Sequence, residues 1–284
     1  MDDGHGTAGR GLRVPWRLRG LLLACHPLPT AAVTSLTTAL AAVAGVRGVV
    51  LATLAAAVFA GQLCVGWVND LVDSDLDRAS ERTDKPLAAG RVGTREVALA
   101  AVAAGVVCVP LSLSLGTVPG VCHLIAVVAA LGYDVGLKRT VWSWVPYAVG
   151  FGLLPVVVWL VSPAGELPPA WMVAAGACLG VGAHGANVLP DQSGDRAAGV
   201  RGLPQRLSPQ ALRIGTAAAL LAALVLLVLG PPGPPPAWEW AAFAAGALLA
   251  LVAATPSGDR AAFPAAIGVG GLAVAVLFAR SALG

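Results

Sequence analysis

The sequence is organised around the stretch Val68–Val92, which reads VNDLVDSDLDRASERTDKPLAAGRV, in a chain of which only 12% of residues are charged. Asp70, Asp73 and Asp77 have the spacing i, i+3, i+7, so on a helix their carboxylates share one face beside Asn69. Such carboxylates repel one another unless a cation lies among them, and Mg2+ prefers carboxylate oxygen while leaving positions for phosphate or water. Basic residues that suit a polyanion follow at once: Arg78, Arg82, Lys85 and Arg91. The stretch therefore indicates a Mg2+-bridged diphosphate site.

The composition is that of a membrane protein. Of the 284 residues, 57% are hydrophobic, which is too apolar for a water-soluble domain and typical of a polytopic membrane protein. The formal charge of +3 suggests no nucleic-acid partner. The five cysteines are scattered without metal-site or redox spacing, so we expect them to be small buried residues.

Nine apolar segments of near-spanning length follow one another and predict an all-α polytopic membrane protein, a bundle of nine transmembrane helices. Several pairs of segments are joined by very short Gly- and Pro-bearing connections, and others by polar loops. The predicted segments are Pro27–Ala44, Val49–Val68, Val97–Leu115, Val118–Val135, Trp144–Val161, Pro168–Val188, Ala211–Leu229, Ala237–Ala254 and Ala262–Ala279.

The basic residues assign the two sides of this bundle. If the N-terminus is cytoplasmic, every Lys and Arg except Arg47 and Arg280 falls on the cytoplasmic side. The positive-inside rule therefore predicts a cytoplasmic N-terminus and a C-terminus outside, a partition that eight or ten helices would break. Residues 1–20 form a basic cytoplasmic segment, either a disordered tail or a helix on an anionic leaflet. Residues 21–284 are predicted to be a single transmembrane domain.

A second acidic cluster follows the sixth segment, in the run NVLPDQSGDRAAGVRGLP that begins at Asn187. Asn187, Asp191 and Asp195 have the spacing i, i+4, i+8, again on one helical face, and Arg201 follows. Both clusters end an even-numbered segment on the same side, so they can face each other across the mouth of one cavity. Carboxylates at the ends of membrane helices are costly unless they are functional or paired, which favours a site over a solvated loop.

A third polar element ends the fourth segment. Lys138 and Arg139 either close over a phosphate or only follow the positive-inside rule. Tyr133, at the same end, contributes to the site or anchors the chain at the membrane interface.

These residues resemble the motifs of the UbiA superfamily of intramembrane prenyltransferases, from about Pro27 to the C-terminus. The first cluster resembles that family's first aspartate motif, Asn69-Asp70-x-x-Asp73-x-x-x-Asp77, with its continuation Lys85-Pro86-Leu87. The second cluster is similar to the second motif, Asp191-x-x-x-Asp195, and the third element to the end of the family's fourth helix. The chain departs from the family at His26-Pro27, where many members have Arg-Pro, and at Asn187, where an acidic or aromatic residue is common.

The resemblance implies a nine-helix bundle in the cell membrane, with a central cavity whose mouth faces the cytoplasm and is capped by the two motif loops. It implies Mg2+, as two ions, and a prenyl diphosphate substrate. Five residues are the implied metal ligands: Asn69, Asp73, Asp77, Asp191 and Asp195. Asn187, which shares a predicted helical face with Asp191 and Asp195, is a sixth candidate ligand from its spacing. The implied catalytic residues are Asp70, which supports the ligands, with Asp73, Asp77, Asp191 and Asp195. The implied diphosphate contacts are Arg78, Lys85, Tyr133, Lys138, Arg139 and Arg201.

The leading hypothesis is a Mg2+-dependent transferase that moves a prenyl group from its diphosphate to a hydrophobic acceptor, aromatic or lipid, and releases pyrophosphate. Three alternatives stay open: a membrane terpene cyclase, a polyprenyl-phosphate glycosyl-type transferase, and a transporter or channel with acidic gates. Prenyl transfer and terpene cyclisation both pass through a carbocation, which needs a dry pocket and which aromatic rings can stabilise. The candidate aromatic residues are Trp67, Trp142, Trp144, Tyr147 and Phe151.

Overall fold

The computed structural model describes residues 16–79, 83 and 85–283, and within them it contains helices and turns but no strand. Its α-helices, in chain order, are α1 (Trp16–Ala24), α2 (Pro27–Val43), α3 (Gly48–Ala79), α4 (Thr94–Ser114), α5 (Thr117–Val135), α6 (Val145–Val161), α7 (Ala170–Val188), α8 (Gln192–Ala197), α9 (Leu203–Arg206), α10 (Pro209–Leu229), α11 (Ala237–Val252) and α12 (Ala262–Leu283). Three short 3-10 turns lie at Leu137–Arg139, Leu189–Asp191 and Pro256–Gly258.

The nine predicted apolar segments coincide with the long helices of the described chain, α2 to α7 and α10 to α12. Six stretches are long and apolar enough to cross a membrane: α3, α4, α5, α10, most of α12, and α7 together with the turn and α8 that follow it. The remaining three long helices, α2, α6 and α11, are apolar but have only 16 or 17 residues. The all-helical prediction is confirmed for the described residues, whereas the number of spans and the orientation of the termini stay predictions.

The α3 helix extends well beyond the apolar segment that the sequence predicted. That segment was expected to end at Val68, but the helix continues to Ala79 and carries the first aspartate motif in its last turns. A charged sequence can remain helical wherever it leaves the apolar layer, because the backbone hydrogen bonds do not depend on hydropathy. The motif is therefore held on a rigid helix rather than on a loop.

The second aspartate motif lies where one helix stops and a shorter one begins. Pro190 has no amide hydrogen and clashes with a continuing helix, so α7 ends at Val188 and a 3-10 turn precedes α8. The motif residues are consequently divided among α7, the turn and α8, because the run breaks at Pro190.

The α7 helix packs on α6, α10 and α12, while α3 packs mainly on α4 and α2. The short α1 is docked on α3, since the Trp67 indole donates a hydrogen bond to the Leu21 carbonyl at 2.9 Å. Residues 1–15 lie outside the described chain, as does Arg82. Of the predicted basic segment 1–20, residues 16–20 therefore belong to a described helix.

Gly180 lets α7 approach α6 closely. A Cβ atom at Gly180 would lie 2.3 Å from the Tyr147 carbonyl oxygen, a backbone atom that cannot move aside. We expect Gly180→Ala to destabilise the protein by about 1–3 kcal/mol, because the two helices must separate. Gly215→Ala is the control, since nothing lies within 4 Å of a Cβ there. Thermal unfolding in detergent measures both variants, and a Gly180→Ala melting temperature equal to that of Gly215→Ala would contradict this packing.

Candidate functional site

One cavity of about 540 Å³ collects most of the predicted site residues. Along α3 its lining changes from Val58 and Val65 to Asn69 and Asp77, so the cavity is polar at one end and apolar at the other. Ten of the predicted residues line it: Asn69, Asp73, Asp77, Lys85, Tyr133, Lys138, Arg139, Asn187, Asp191 and Asp195. The two aspartate motifs, more than a hundred residues apart in sequence, therefore face one space.

Two hydrogen bonds join the first motif to the end of α5. The Lys138 ammonium donates to Asp73 Oδ1, with both side chains mostly buried. The Asn69 amide donates to Asp134 Oδ1 at 2.7 Å. Asp134 is buried, lines the cavity and has no protein partner for Oδ2. The sequence analysis did not single out Asp134, although it lies next to Tyr133 at the end of an apolar helix, where a carboxylate is costly unless it is paired.

Gln205 holds the second motif in place. Its amide Nε2 donates to Asp195 Oδ2 at 2.9 Å, and the residue lines the cavity from α9. The backbone oxygen of Gln205 accepts from Arg196 Nε at 2.6 Å, and Gln192 Nε2 donates to the Pro204 carbonyl at 2.6 Å. These bonds tie α8 to α9. Sequence reasoning missed both glutamines, because neither belongs to a charge pattern.

Three of the predicted site residues lie off the cavity walls. Asp70 is 1% exposed and accepts a hydrogen bond from the Lys85 ammonium at 3.1 Å. Arg78 points to the outer face of α3, where it pairs with Asp75 at 2.9 Å. Arg201 is exposed in the segment between α8 and α9. The structure thus brings Lys85, and not the two arginines, next to the first motif.

A cluster of aromatic rings borders the polar end of the cavity. The rings of Tyr133 and Tyr147 meet edge to face with centroids 5.2 Å apart, and Tyr147 stacks on Phe151 at 6.4 Å. All three line the cavity. The other predicted aromatic residues, Trp67, Trp142 and Trp144, do not line it.

The chemistry of the side chains around this space fits a hard divalent cation. Carboxylate and amide oxygens from both motifs face it, and these are the donors that Mg2+ prefers. Within residues 16–79, 83 and 85–283, no three His, Cys, Asp or Glu side chains converge closely enough to hold an ion as they stand. Lys138 instead provides a positive charge at Asp73, where its ammonium donates to Oδ1.

The comparison with protein families gives one match: the UbiA prenyltransferase family, over residues 28–265. The matched region includes both aspartate motifs and the cavity-lining helices except for part of α12. No curated protein matches the sequence.

Solved structures of UbiA homologues share the fold. A homologue from Aeropyrum pernix K1, solved without ligand, is 22% identical over 88% of this chain and 97% of its own, with a TM-score of 0.68. One from Archaeoglobus fulgidus, solved with GPP and Mg2+, is 15% identical over 93% of this chain and 99% of its own, also at 0.68. A digeranylgeranylglyceryl phosphate synthase is 15% identical over 93% of this chain and 98% of its own, at 0.66.

Proposed function

Because this chain belongs to the UbiA prenyltransferase family, we propose that it transfers a prenyl group from a prenyl diphosphate to a hydrophobic acceptor, aromatic or lipid, and releases pyrophosphate. The observation that carries this proposal is the cavity whose polar end combines both aspartate motifs with lysines and whose remainder is lined mainly by apolar side chains, with Gln62 and His123 among them. An amphiphile with a diphosphate head and an isoprenoid tail has the same division of polarity. The site belongs to a multi-pass protein of the cell membrane, with its mouth towards the cytoplasm.

The two motifs are the proposed Mg2+ site, with two ions shared among six residues: Asn69, Asp73, Asp77, Asn187, Asp191 and Asp195. When bound, Mg2+ neutralises the charge that develops on the departing diphosphate without any proton transfer. The chain's own task is to present these oxygens on two rigid helical ends. Asp70 supports the set indirectly, since it is buried behind the motif and holds Lys85.

The cations of the cavity are the proposed diphosphate contacts. Lys85, Lys138 and Arg139 line the polar end, where charge-assisted hydrogen bonds to phosphate oxygens are strong. Tyr133 adds a hydroxyl at the same end. Arg78 and Arg201 lie off the cavity walls and have no proposed role in catalysis.

The apolar part of the cavity protects the reaction from water. Val33, Val58 and Leu154 line it and provide no hydrogen-bonding group, so a carbocation there meets few water molecules. Tyr147 and Phe151 present π-electrons beside the polar end, where the cation forms, and can stabilise it.

The proposal is tested with purified protein, Mg2+ and geranyl, farnesyl or geranylgeranyl diphosphate, with and without a panel of phenolic and lipid acceptors. Formation of a prenylated acceptor together with pyrophosphate is the expected result. Pyrophosphate release without an acceptor, together with a hydrocarbon product, would make the protein a terpene cyclase instead. No release under any of these conditions would contradict prenyl transfer and favour the glycosyl-type transferase or the transporter.

Lys138 is expected to contribute strongly to diphosphate affinity. Lys138→Met removes the charge but keeps most of the side-chain volume, and loss of one charge-assisted hydrogen bond amounts to about 1.5–3 kcal/mol. We therefore expect the dissociation constant for geranyl S-thiolodiphosphate with Mg2+ to rise by roughly tenfold or more. Arg95→Met, at an exposed position in the first turn of α4, is the matched control. An unchanged Lys138→Met dissociation constant in calorimetric titration would exclude this contact.

A further inference from the structure

His26 has an unusual backbone conformation. It has φ 54° and ψ 69°, and among the described residues no other non-glycine residue has a positive φ. The left-handed region costs a residue with a side chain about 1–2 kcal/mol. A residue stays there only when its surroundings over-determine it, and such residues cluster at functional sites. The surroundings of His26 therefore bear on function.

The turn that carries His26 is fixed against α3. The carbonyl oxygen of Cys25 lies directly on Gly66, where a Cβ atom would be only 2.3 Å from it. The same oxygen accepts a hydrogen bond from Thr30 Oγ1 at 2.8 Å, and the Thr30 amide donates to the His26 carbonyl at 3.1 Å. Only glycine at position 66 admits this approach. The turn between α1 and α2 is therefore held by packing and by two hydrogen bonds.

The imidazole of His26 contacts charged groups at the cavity wall. Lys85 Nζ lies 3.2 Å from His26 Nε2, and Asp70 Oδ1 lies 3.4 Å from the same nitrogen. An ammonium group has no lone pair, so in this contact Lys85 can only donate and Nε2 can only accept. The tautomer protonated at Nε2 donates to Asp70 Oδ1 instead, and the tautomer that accepts from Lys85 has its lone pair on Nε2. Both His26 and Lys85 line the cavity, where a diphosphate would compete for the ammonium protons of Lys85.

His26 lies near the first aspartate motif, beside which the bond between prenyl C1 and the diphosphate would break. Its neighbour Asp70 precedes Asp73 by less than one turn of α3, so the imidazole is close to the proposed diphosphate site. Among the other groups of the described cavity, Lys85, Lys138 and Arg139 are cations and the carboxylates of the two motifs are proposed ligands. Asp134 is the remaining carboxylate, and one of its oxygens accepts from the Asn69 amide.

The second histidine that lines the cavity, His123, lies far from the first aspartate motif. Its ring packs beside Gly61, which lies about 12 Å before Asn69 along the α3 axis. Its Nδ1 is 2.8 Å from Ser112 Oγ, and the Ser112 hydroxyl uses its single hydrogen on the Cys108 carbonyl. Nδ1 of His123 therefore donates to Ser112, which fixes its ring to α4. His123 is therefore not placed to accept a proton beside the first aspartate motif.

We propose that His26 Nε2 is the general base of prenyl transfer, an inference that rests on the function proposed above. The bond between prenyl C1 and the diphosphate oxygen breaks, and its electron pair leaves with pyrophosphate. The acceptor then forms a bond to C1 and loses a proton, from oxygen or from an aromatic carbon, to Nε2. The protonated imidazole then releases this proton to water and returns to its neutral form. The acceptor class is therefore one with a removable proton at the reacting atom.

The test compares wild type, His26→Gln and His26→Ala with the control Arg95→Gln, at an exposed position of α4 that does not line the cavity, using the acceptor that supports turnover. We expect both His26 variants to lose prenyl transfer by roughly 10²-fold or more. Mg2+-dependent binding of geranyl S-thiolodiphosphate should stay at the wild-type level, which shows that the variants fold. Added imidazole should restore part of the transfer by His26→Ala. The fall in rate of the wild type at acidic pH should persist in Arg95→Gln and vanish in His26→Gln.

Wild-type transfer rates in His26→Gln would overturn the inference. A loss that imidazole does not restore, with the acid limb of the pH profile retained, would overturn it as well and leave His26 as a structural residue. If the wild-type protein transfers no prenyl group to any acceptor, the proposed function itself fails, and that result is distinct from either outcome for His26.

Discussion

Asp73→Asn is expected to abolish Mg2+-dependent pyrophosphate release, with a loss of roughly 10³-fold, the upper range for removing one group that stabilises transition-state charge. Asp73 lines the polar end of the cavity and is mostly buried, so its carboxylate cannot be replaced by solvent. Asparagine keeps the shape of the side chain, and the fold should persist. Pyrophosphate release from each prenyl diphosphate, measured at increasing Mg2+ concentration, provides the test.

Asp75→Asn is the matched control for this prediction. Asp75 lies on the same helix and in the same acidic run, but its side chain is 96% exposed and does not line the cavity. We expect this variant to release pyrophosphate at the wild-type rate. If Asp75→Asn lost as much pyrophosphate release as Asp73→Asn, the first motif would act through its general negative charge rather than through a metal site.

The second large effect is expected from Asp191→Asn, on the opposite side of the cavity. If the two motifs bind one diphosphate together, either single replacement disables the same unit, and the double variant Asp73→Asn/Asp191→Asn should be little worse than either single one. Two independent sites would instead give losses that multiply. The three variants are compared in the same pyrophosphate assay. A double variant whose loss equals the product of the single losses would contradict the shared site.

The helices were predictable because length and apolar composition decide them. The predicted Val118–Val135 and Trp144–Val161 differ from the observed helices by one residue at their starts, since charged or Gly- and Pro-bearing connections bound them on both sides. The end of α3 was not predictable in this way. Hydropathy marks where an apolar layer stops, whereas helical hydrogen bonding continues through the charged residues to Ala79.

The sequence predicted the site residues that belong to the two spaced acidic motifs, but it did not predict the contacts that depend on packing between distant residues. Spacing, together with the assignment of both clusters to one side of the membrane, predicted that Asp73 and Asp195 face one cavity, and both line it although Pro190 breaks the second motif. Arg201 was predicted as a diphosphate contact because it follows a motif, but basic residues collect at one side of a membrane protein regardless of any site. The conformation of His26 depends on the missing side chain of Gly66, and such a contact between distant residues leaves no local signal in the sequence.

The central claim is that the two aspartate motifs form one divalent-metal site for a prenyl diphosphate. Its most direct test is an experimental structure with geranyl S-thiolodiphosphate and Mn2+ in place of Mg2+, in which anomalous scattering locates the ions. We predict two peaks within about 2.1 Å of oxygens from Asp73 and Asp77 on one side and Asp191 and Asp195 on the other. Peaks elsewhere, or a diphosphate bound away from both motifs, would contradict the account.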